Sequence, residues 1–297
     1  MAYTVCSDIG ATKINTGLIK NNRVVISHRF ETKKSKGLKH LLFNLKKSLA
    51  MYRPEKCRAI GISFAGVVKD GIIMNATNFP PYIRNLNLKQ IIKKWFGRPV
   101  IIEHDGACFT LAESILGQGK PYRHVIGLTI GTGVGGGLVI DKKIYRGSHY
   151  LMEVGHFKIL EKGLKCSCGR YGHFESQVSG PALSKYYQKI TGKYLKGEEI
   201  NKLALRGNRA AFSAAKNMAH YLGIGLACLA NTLSPEVFVL GGGVANFTKI
   251  ITLCRNEMRK ETIYPQHHKI KILNSRLGNH AQLLGASLLT VKNYYLD

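Results

Sequence analysis

Two cysteines one residue apart, Cys166 and Cys168, a histidine five residues beyond the second, His173, and an upstream histidine, His156, together supply two thiolates and two imidazoles. This Cys₂His₂ complement suits tetrahedral Zn²⁺, and four protein ligands leave no open position, so such a metal would be structural. It would fix the loop that carries Glu153 and Glu175. The Cys-x-Cys spacing differs from the Cys-x₂-Cys of common zinc fingers, so spacing alone does not decide the site.

The stretch Gly131-Thr132-Gly133-Val134-Gly135-Gly136-Gly137 places five glycines in seven residues between two apolar strands. Such a run costs conformational entropy, so something must require close backbone approach or positive φ, and a phosphate group is one such cause. Asp8-Ile9-Gly10-Ala11-Thr12-Lys13 is a second small-residue turn. Its backbone N–H groups and the Thr12 hydroxyl can reach phosphate oxygens, and Asp8 can hold a hydrated Mg²⁺. An ordinary β-turn with Asp8 satisfying local amides is the alternative. Gly241-Gly242-Gly243, after an apolar run and before a helix, could accept a flat ring or be only a tight strand-to-helix turn. Glu103-His104-Asp105 closes another apolar run. Asp105 there can accept the proton of an attacking hydroxyl in phosphoryl transfer, or simply cap the helix that follows.

Elements must hold these groups in place. The segment from Tyr3 to Phe30 reads as a three-strand meander with an Asn21-Asn22 turn, followed by a helix at about 37–52 with Leu41, Leu42, Leu45 and Leu49 on one face. Then come a buried strand (CRAIGISF), a hairpin around Asp70-Gly71, a helix (LKQIIKKWF), a buried strand (RPVIIEHD) and a helix (GACFTLAESILG). The pattern is βββαβα with an inserted hairpin. It recurs: HVIGLTIGTGVGGGLVIDKKIY is a second meander, a long Ala-rich helix spans about 207–232, EVFVLGG is a strand, a helix follows Gly243, KIKILNS is a strand, and a last helix begins near His280. Ile9-Gly10 with Gly17-Leu18-Ile19 aligns with Ile130-Gly131 and Gly137-Leu138-Val139, an internal repeat of a whole lobe. The expected fold class is therefore α/β, a two-lobed actin-like ATPase (ribonuclease H-like) fold with duplicated βββαβα lobes. We expect residues 1–116 to form an N-terminal lobe with the first phosphate turn and Asp105. Residues 117–297 would form a C-terminal lobe with the second phosphate turn, the Cys/His metal set and the Gly241-Gly242-Gly243 turn, the last helix packing back on the first lobe.

Composition narrows the class. The 297 residues are 45% hydrophobic with 32 glycines and 8 prolines, which excludes disordered and fibrous chains. No run of about 18 apolar residues occurs and the first residues lack a leader pattern, so a cytoplasmic protein with no membrane partner is expected. Of seven cysteines, Cys6, Cys57, Cys108, Cys228 and Cys254 stand singly among apolar neighbours, as buried thiols do. The net charge of +27 raises nucleic acid, anionic membrane or polyphosphate as partners, yet lysines and arginines spread along the chain. The densest run, Arg29–Arg53, covers the amphipathic helix, whose charges read as a solvated face.

DIGATK, the His-Asp after PVIIE, GTGVGGG, EVGH and CSCGRYGHFE, in this order, resemble the ROK family of sugar kinases and repressors over nearly the whole chain. The resemblance implies an ATP- and Mg²⁺-dependent kinase acting on a hexose, with glucose first and its 6-phosphate as product, together with structural Zn²⁺. Fructose, mannose or an N-acylhexosamine are rival acceptors, and polyphosphate a rival donor. It implies Asp105 as catalytic base, with Gly66, Asn78, His104, Glu153, His156 and Glu175 around the sugar. His156 would also ligate zinc with Cys166, Cys168 and His173. Asp8, Gly10, Thr12 and Lys13 would form the first phosphate turn, Gly131, Thr132 and Gly133 the second, and Gly241, Gly242 and Gly243 the adenosine contact. A homodimer is expected.

Three departures stand out. His104 replaces the family's usual Asn, His173 its usual third Cys, and SFAGV its usual proline beside Gly66. His104 changes the donor and acceptor layout at a sugar hydroxyl. With the first phosphate motif beginning at Asp8, we expect no room for the repressors' helix-turn-helix ahead of it, and the kinase branch is expected. The reading of another class is an idle, basic nucleic-acid-binding protein on a kinase-like body, which predicts salt-sensitive binding and no sugar-dependent ADP release.

Overall fold

The computed structural model describes residues 3–148, 152–243 and 247–296. Alternating burial and tight turns build the first sheet. β1 (Thr4–Ile9) pairs antiparallel with β2 (Lys13–Lys20), and β2 with β3 (Arg23–Glu31). Asn21 and Asn22 both take positive φ, the conformation a two-residue hairpin turn demands. After helix α1 (Leu38–Ala50), β4 (Ala59–Phe64) pairs parallel with β1. The hairpin β5 (Val67–Lys69) and β6 (Ile72–Asn75) turns at Asp70-Gly71, both again at positive φ. Helix α2 (Leu88–Phe96) starts at Asn87, whose side chain accepts the Gln90 N–H, and stops at left-handed Gly97. β7 (Val100–His104) then pairs parallel with β4 and runs directly into α3 (Asp105–Ile115).

The second half repeats the plan. β8 (His124–Ile130), β9 (Val134–Ile140) and β10 (Lys143–Tyr145) form its meander. α4 (Phe174–Val178), α5 (Gly180–Thr191), α6 (Gly197–Leu205) and α7 (Arg209–Leu233) precede β11 (Val237–Gly241). α8 (Thr248–Glu261), β12 (Lys271–Asn274) and α9 (Ala281–Leu289) complete it. The helix expected after Gly243 is α8; residues 244–246 lie outside the described ones. The strand orders β3-β2-β1-β4-β7 and β10-β9-β8-β11-β12 are the same topology, a central parallel set with an antiparallel meander on one side. This is the duplicated α/β plan of the two-lobed actin-like ATPase (ribonuclease H-like) fold.

The chain forms two compact units. The first comprises Met1–Lys120, Gly137–Met152 and Leu277–Asp297. Its core includes Val5, Ile9, Ile14, Leu45, Ile60, Ile62 and Phe64. α9 packs on this unit so closely that a Cβ at Gly61 would lie 2.6 Å from the Ala286 carbonyl oxygen, and one at Gly285 would overlap the Cys108 carbonyl. The Thr4 and Ser287 hydroxyls meet at 2.7 Å in the same contact. The second unit comprises Pro121–Gly136 and Glu153–Arg276, built around α7, whose buried face carries Met218, Leu222, Leu226 and Ala230. Cys6, Cys57, Cys108 and Cys254 are buried as expected, but Cys228 is exposed, because it points off the buried face of α7. Among the described residues no helix is long and apolar enough to cross a membrane.

Candidate active site and metal centre

In the first unit the chemistry gathers at the carboxyl ends of three parallel neighbours, where α/β sheets place ligands. Asp8 near the end of β1 stands beside Ser63 on β4, whose hydroxyl donates to Asp8 Oδ1 at 2.6 Å. Gly66 follows β4, and a Cβ there would lie 2.6 Å from the Asn75 carbonyl oxygen. His104 ends β7 and Asp105 opens α3. Asp105 Oδ1 accepts the Gly106 N–H at 2.8 Å and lies 3.1 Å from His104 Nε2. Asp8 and Asp105 are near enough to interact: burial first, and the charge of Asp105 in addition, push the Asp8 carboxyl up to about 7 despite the Ser63 hydrogen bond.

The turn Gly10–Lys13 is tied internally, with the Gly10 N–H donating to the Lys13 carbonyl at 2.9 Å. Buried Thr32 pins it from β3's end, its hydroxyl donating to the Gly10 carbonyl at 2.6 Å and its N–H to the Thr12 carbonyl at 3.0 Å. Asn78 is exposed in the segment after β6, its carbonyl accepting from Lys34 Nζ. Ser63 and Thr32 are buttresses that no local motif marks, since each meets its partner only through strand pairing.

In the second unit the turn Gly131–Gly133 ends β8, and Gly241–Gly243 ends its parallel neighbour β11. The two turns abut: a Cβ on Gly242, at φ +82°, would lie 2.4 Å from the Ile130 carbonyl oxygen. The Gly131 N–H donates to the Gly133 carbonyl at 2.9 Å, and the Gly131 carbonyl accepts from the Gly180 N–H at 2.8 Å. The glycine run has more than one cause. None of its members takes positive φ. Gly136 and Gly137 are demanded by packing, since a Cβ would lie 2.5 Å from Val154 Cγ2 in the first case and from the Gly106 carbonyl oxygen in the second. Gly131 has nothing within 4 Å, which leaves it open to a ligand.

The four metal-ligating candidates do converge. Donor atoms of His156, Cys166, Cys168 and His173 all lie within 4.8 Å of one another. His156 Nδ1 is 3.5 Å from Cys166 Sγ, and His173 Nδ1 is 3.2 Å from Cys168 Sγ. The other ring nitrogen of His156 faces Glu153, 3.8 Å from its carboxylate, an arrangement that sets which nitrogen is presented to a metal. Burial, with the His156 charge second, pushes the His173 imidazole down, keeping it in the neutral form a ligand needs. Phe174, stacked on Phe157 at 4.9 Å between centroids, anchors the loop against Gly225 of α7.

Glu175 links this loop to the glycine turn. Its Oε2 accepts the Val134 N–H at 3.0 Å, and its Oε1 accepts the Ser167 hydroxyl at 2.7 Å. Both oxygens are therefore engaged inside the unit.

Comparison with known proteins settles the lineage. A sequence model of the ROK family matches residues 4–293. The chain belongs to the ROK family. The glucokinase of Streptomyces coelicolor is 28% identical to this ROK chain, over 97% of both. The xylose repressor of Bacillus subtilis is 30% identical, over 99% of this chain and 78% of the repressor. The crystal structure of a ROK family glucokinase from Streptomyces griseus in complex with glucose and AMPPNP is similar with a TM-score of 0.87 at 28% identity, covering 97% of this chain and 99% of that one.

Proposed function

We propose that this ROK protein is a kinase that transfers the γ-phosphoryl group of ATP to a hydroxyl of a hexose. The observation that carries the reading is the state of Asp105: Oδ1 is held by the Gly106 N–H and lies 3.1 Å from His104 Nε2, while Oδ2 takes no hydrogen bond among the described residues. One oxygen fixes the carboxylate and the other is free to accept a proton. The sugar hydroxyl oxygen attacks the γ-phosphorus, its proton passes to Asp105 Oδ2, the bond from the bridging oxygen to the γ-phosphorus breaks, and ADP leaves.

The remaining residues take supporting roles in this reading. On the family resemblance we assign Gly10, Thr12 and Lys13, and likewise Gly131, Thr132 and Gly133, to phosphate oxygens and Gly241 to Gly243 to the adenosine. Gly66, Asn78, His104, Glu153, His156 and Glu175 are assigned to sugar recognition on the same ground. Asp8 fits a cation site, because a carboxylate raised to about 7 by burial regains its charge beside a positive ion. A hydrated Mg²⁺ there would offset phosphate charge. The donor set His156, Cys166, Cys168 and His173 fits Zn²⁺ held for structure, with Glu175 passing the order of the loop to Val134.

Glucose is the first acceptor to test, supported by the glucokinase relative and the glucose-bound structure. A coupled ADP-release screen across hexoses, N-acylhexosamines and xylose tests the reading; no sugar-dependent release from any of them would overturn it. The xylose repressor match and the net charge of +27 favour a second reading, sugar binding without turnover joined to nucleic-acid binding. That reading predicts salt-sensitive binding to duplex DNA.

A further inference from the structure

We propose that the segment Tyr294–Leu296, which follows α9, is a strap that positions the catalytic base: Tyr295 keeps Arg146 on Glu103, and Glu103 holds the peptide that carries His104 and Asp105. The proposal rests on the reading of Asp105 as that base.

The chain of contacts lies wholly within the first unit. Glu103 is 2% exposed on β7, one residue before His104. Its Oε1 accepts the His104 N–H at 2.7 Å, so the carboxylate grips the backbone at the entrance to Asp105. Its Oε2 accepts from Arg146 Nε at 3.0 Å and from a second guanidinium nitrogen. A carboxylate this buried is tolerable only with a well-placed cation, and losing that cation leaves an uncompensated charge.

Arg146 follows β10 and keeps its geometry by stacking. Its guanidinium carbon lies 3.3 Å from the centroid of the Tyr295 ring, which suits a planar cation on an aromatic face. Burial, then the Glu103 carboxylate, push the Tyr295 phenol up, so the ring under Arg146 stays neutral. The ring is delivered by backbone pairing on the outer edge of β10. The Ile144 N–H donates to the Tyr294 carbonyl at 2.6 Å, and the Leu296 N–H donates to the Ile144 carbonyl at 3.0 Å. Ile144 and Tyr295 form a parallel bridge there.

Tyr295 touches no reacting atom in this account. It is a positioning residue, and its loss should act on turnover rather than on substrate affinity, because small misplacements of a reacting group cost rate steeply.

The test compares wild type with Tyr295→Ala, Tyr295→Leu and Tyr295→Phe, using sugar-dependent ADP release and amide hydrogen exchange at His104. We expect Ala and Leu to lower kcat by about tenfold or more with KM for sugar and ATP within about twofold. Phe, which keeps the ring face, recovers most of that loss. In Ala and Leu the His104 amide exchanges faster than in wild type, while amides of the second unit do not. Leu keeps apolar cover over β10 should Ala fail to fold. An active wild type whose folded Leu or Ala variant keeps full kcat, or whose His104 exchange is unmoved, overturns the strap alone. A wild type with no sugar-dependent ADP release overturns the reading of Asp105, and the proposal with it.

Discussion

His104 Nε2 stands 3.1 Å from Asp105 Oδ1, so the side chain replacing the family's usual Asn contacts the candidate base itself. This close approach braces Oδ1 and leaves Oδ2 for the substrate, and small misplacements of a reacting group cost rate steeply. His104→Ala should therefore lower kcat by roughly 10-fold or more, and steady-state kinetics on glucose would check it. An unchanged kcat with a raised KM would assign His104 to sugar binding alone.

Asp8 predicts a pH dependence of metal-free stability. Its folded pKa, about 7, lies above the ordinary 3.8, so folding favours the protonated form. Its contribution is fully present below about pH 3.8 and is lost as pH rises through about 7. Asp8→Asn, which cannot ionise, should melt higher than wild type at pH 8, by roughly 2–4 °C for each kcal/mol regained. The difference should vanish near pH 4. Calorimetry without divalent metal at both values decides this.

The glycine run should split under substitution. Gly137→Ala forces a Cβ to 2.5 Å from the Gly106 carbonyl oxygen and should destabilise the fold by about 1–3 kcal/mol. Gly131→Ala meets nothing within 4 Å and should leave the melting temperature unchanged while raising KM for ATP. Thermal melts and ATP titrations of the pair measure the contrast.

The metal set predicts about one equivalent of zinc per chain, since four converging donors fill a tetrahedral shell. Cys166→Ser, or a strong chelator, should lower the melting temperature by several degrees because metal binding is coupled to the order of its loop. Elemental analysis with melts tests this. Metal-free protein that is as stable and as active as the metal-loaded form would contradict it.

Much of the fold was legible locally. Asn21-Asn22 and Asp70-Gly71 announce hairpins because few other residue pairs accept their positive φ, and β8 to β10 repeat the first meander in period and turns. α5 was not read from the sequence, although Gly180-Pro181 at its start and left-handed Gly192 at its end mark it. The site was legible where chemistry lies in one segment, as with Cys166, Cys168 and His173. It was not legible where partners meet through folding. Ser63 reaches Asp8 through β1–β4 register, Thr32 pins a turn some twenty residues earlier in the chain, and Arg146 meets Tyr295 only because a late segment pairs on β10. Gly136 and Gly137 show the reverse error, a run whose composition suggested phosphate although packing accounts for part of it.

The central claim is that Asp105 accepts the proton of a sugar hydroxyl during phosphoryl transfer. The direct measurement is Asp105→Asn, assayed for ADP release with the best acceptor and for binding of that sugar by calorimetry. The account predicts sugar affinity within a few-fold of wild type and turnover reduced by about 10²-fold or more. Wild-type turnover in the Asn variant would contradict it.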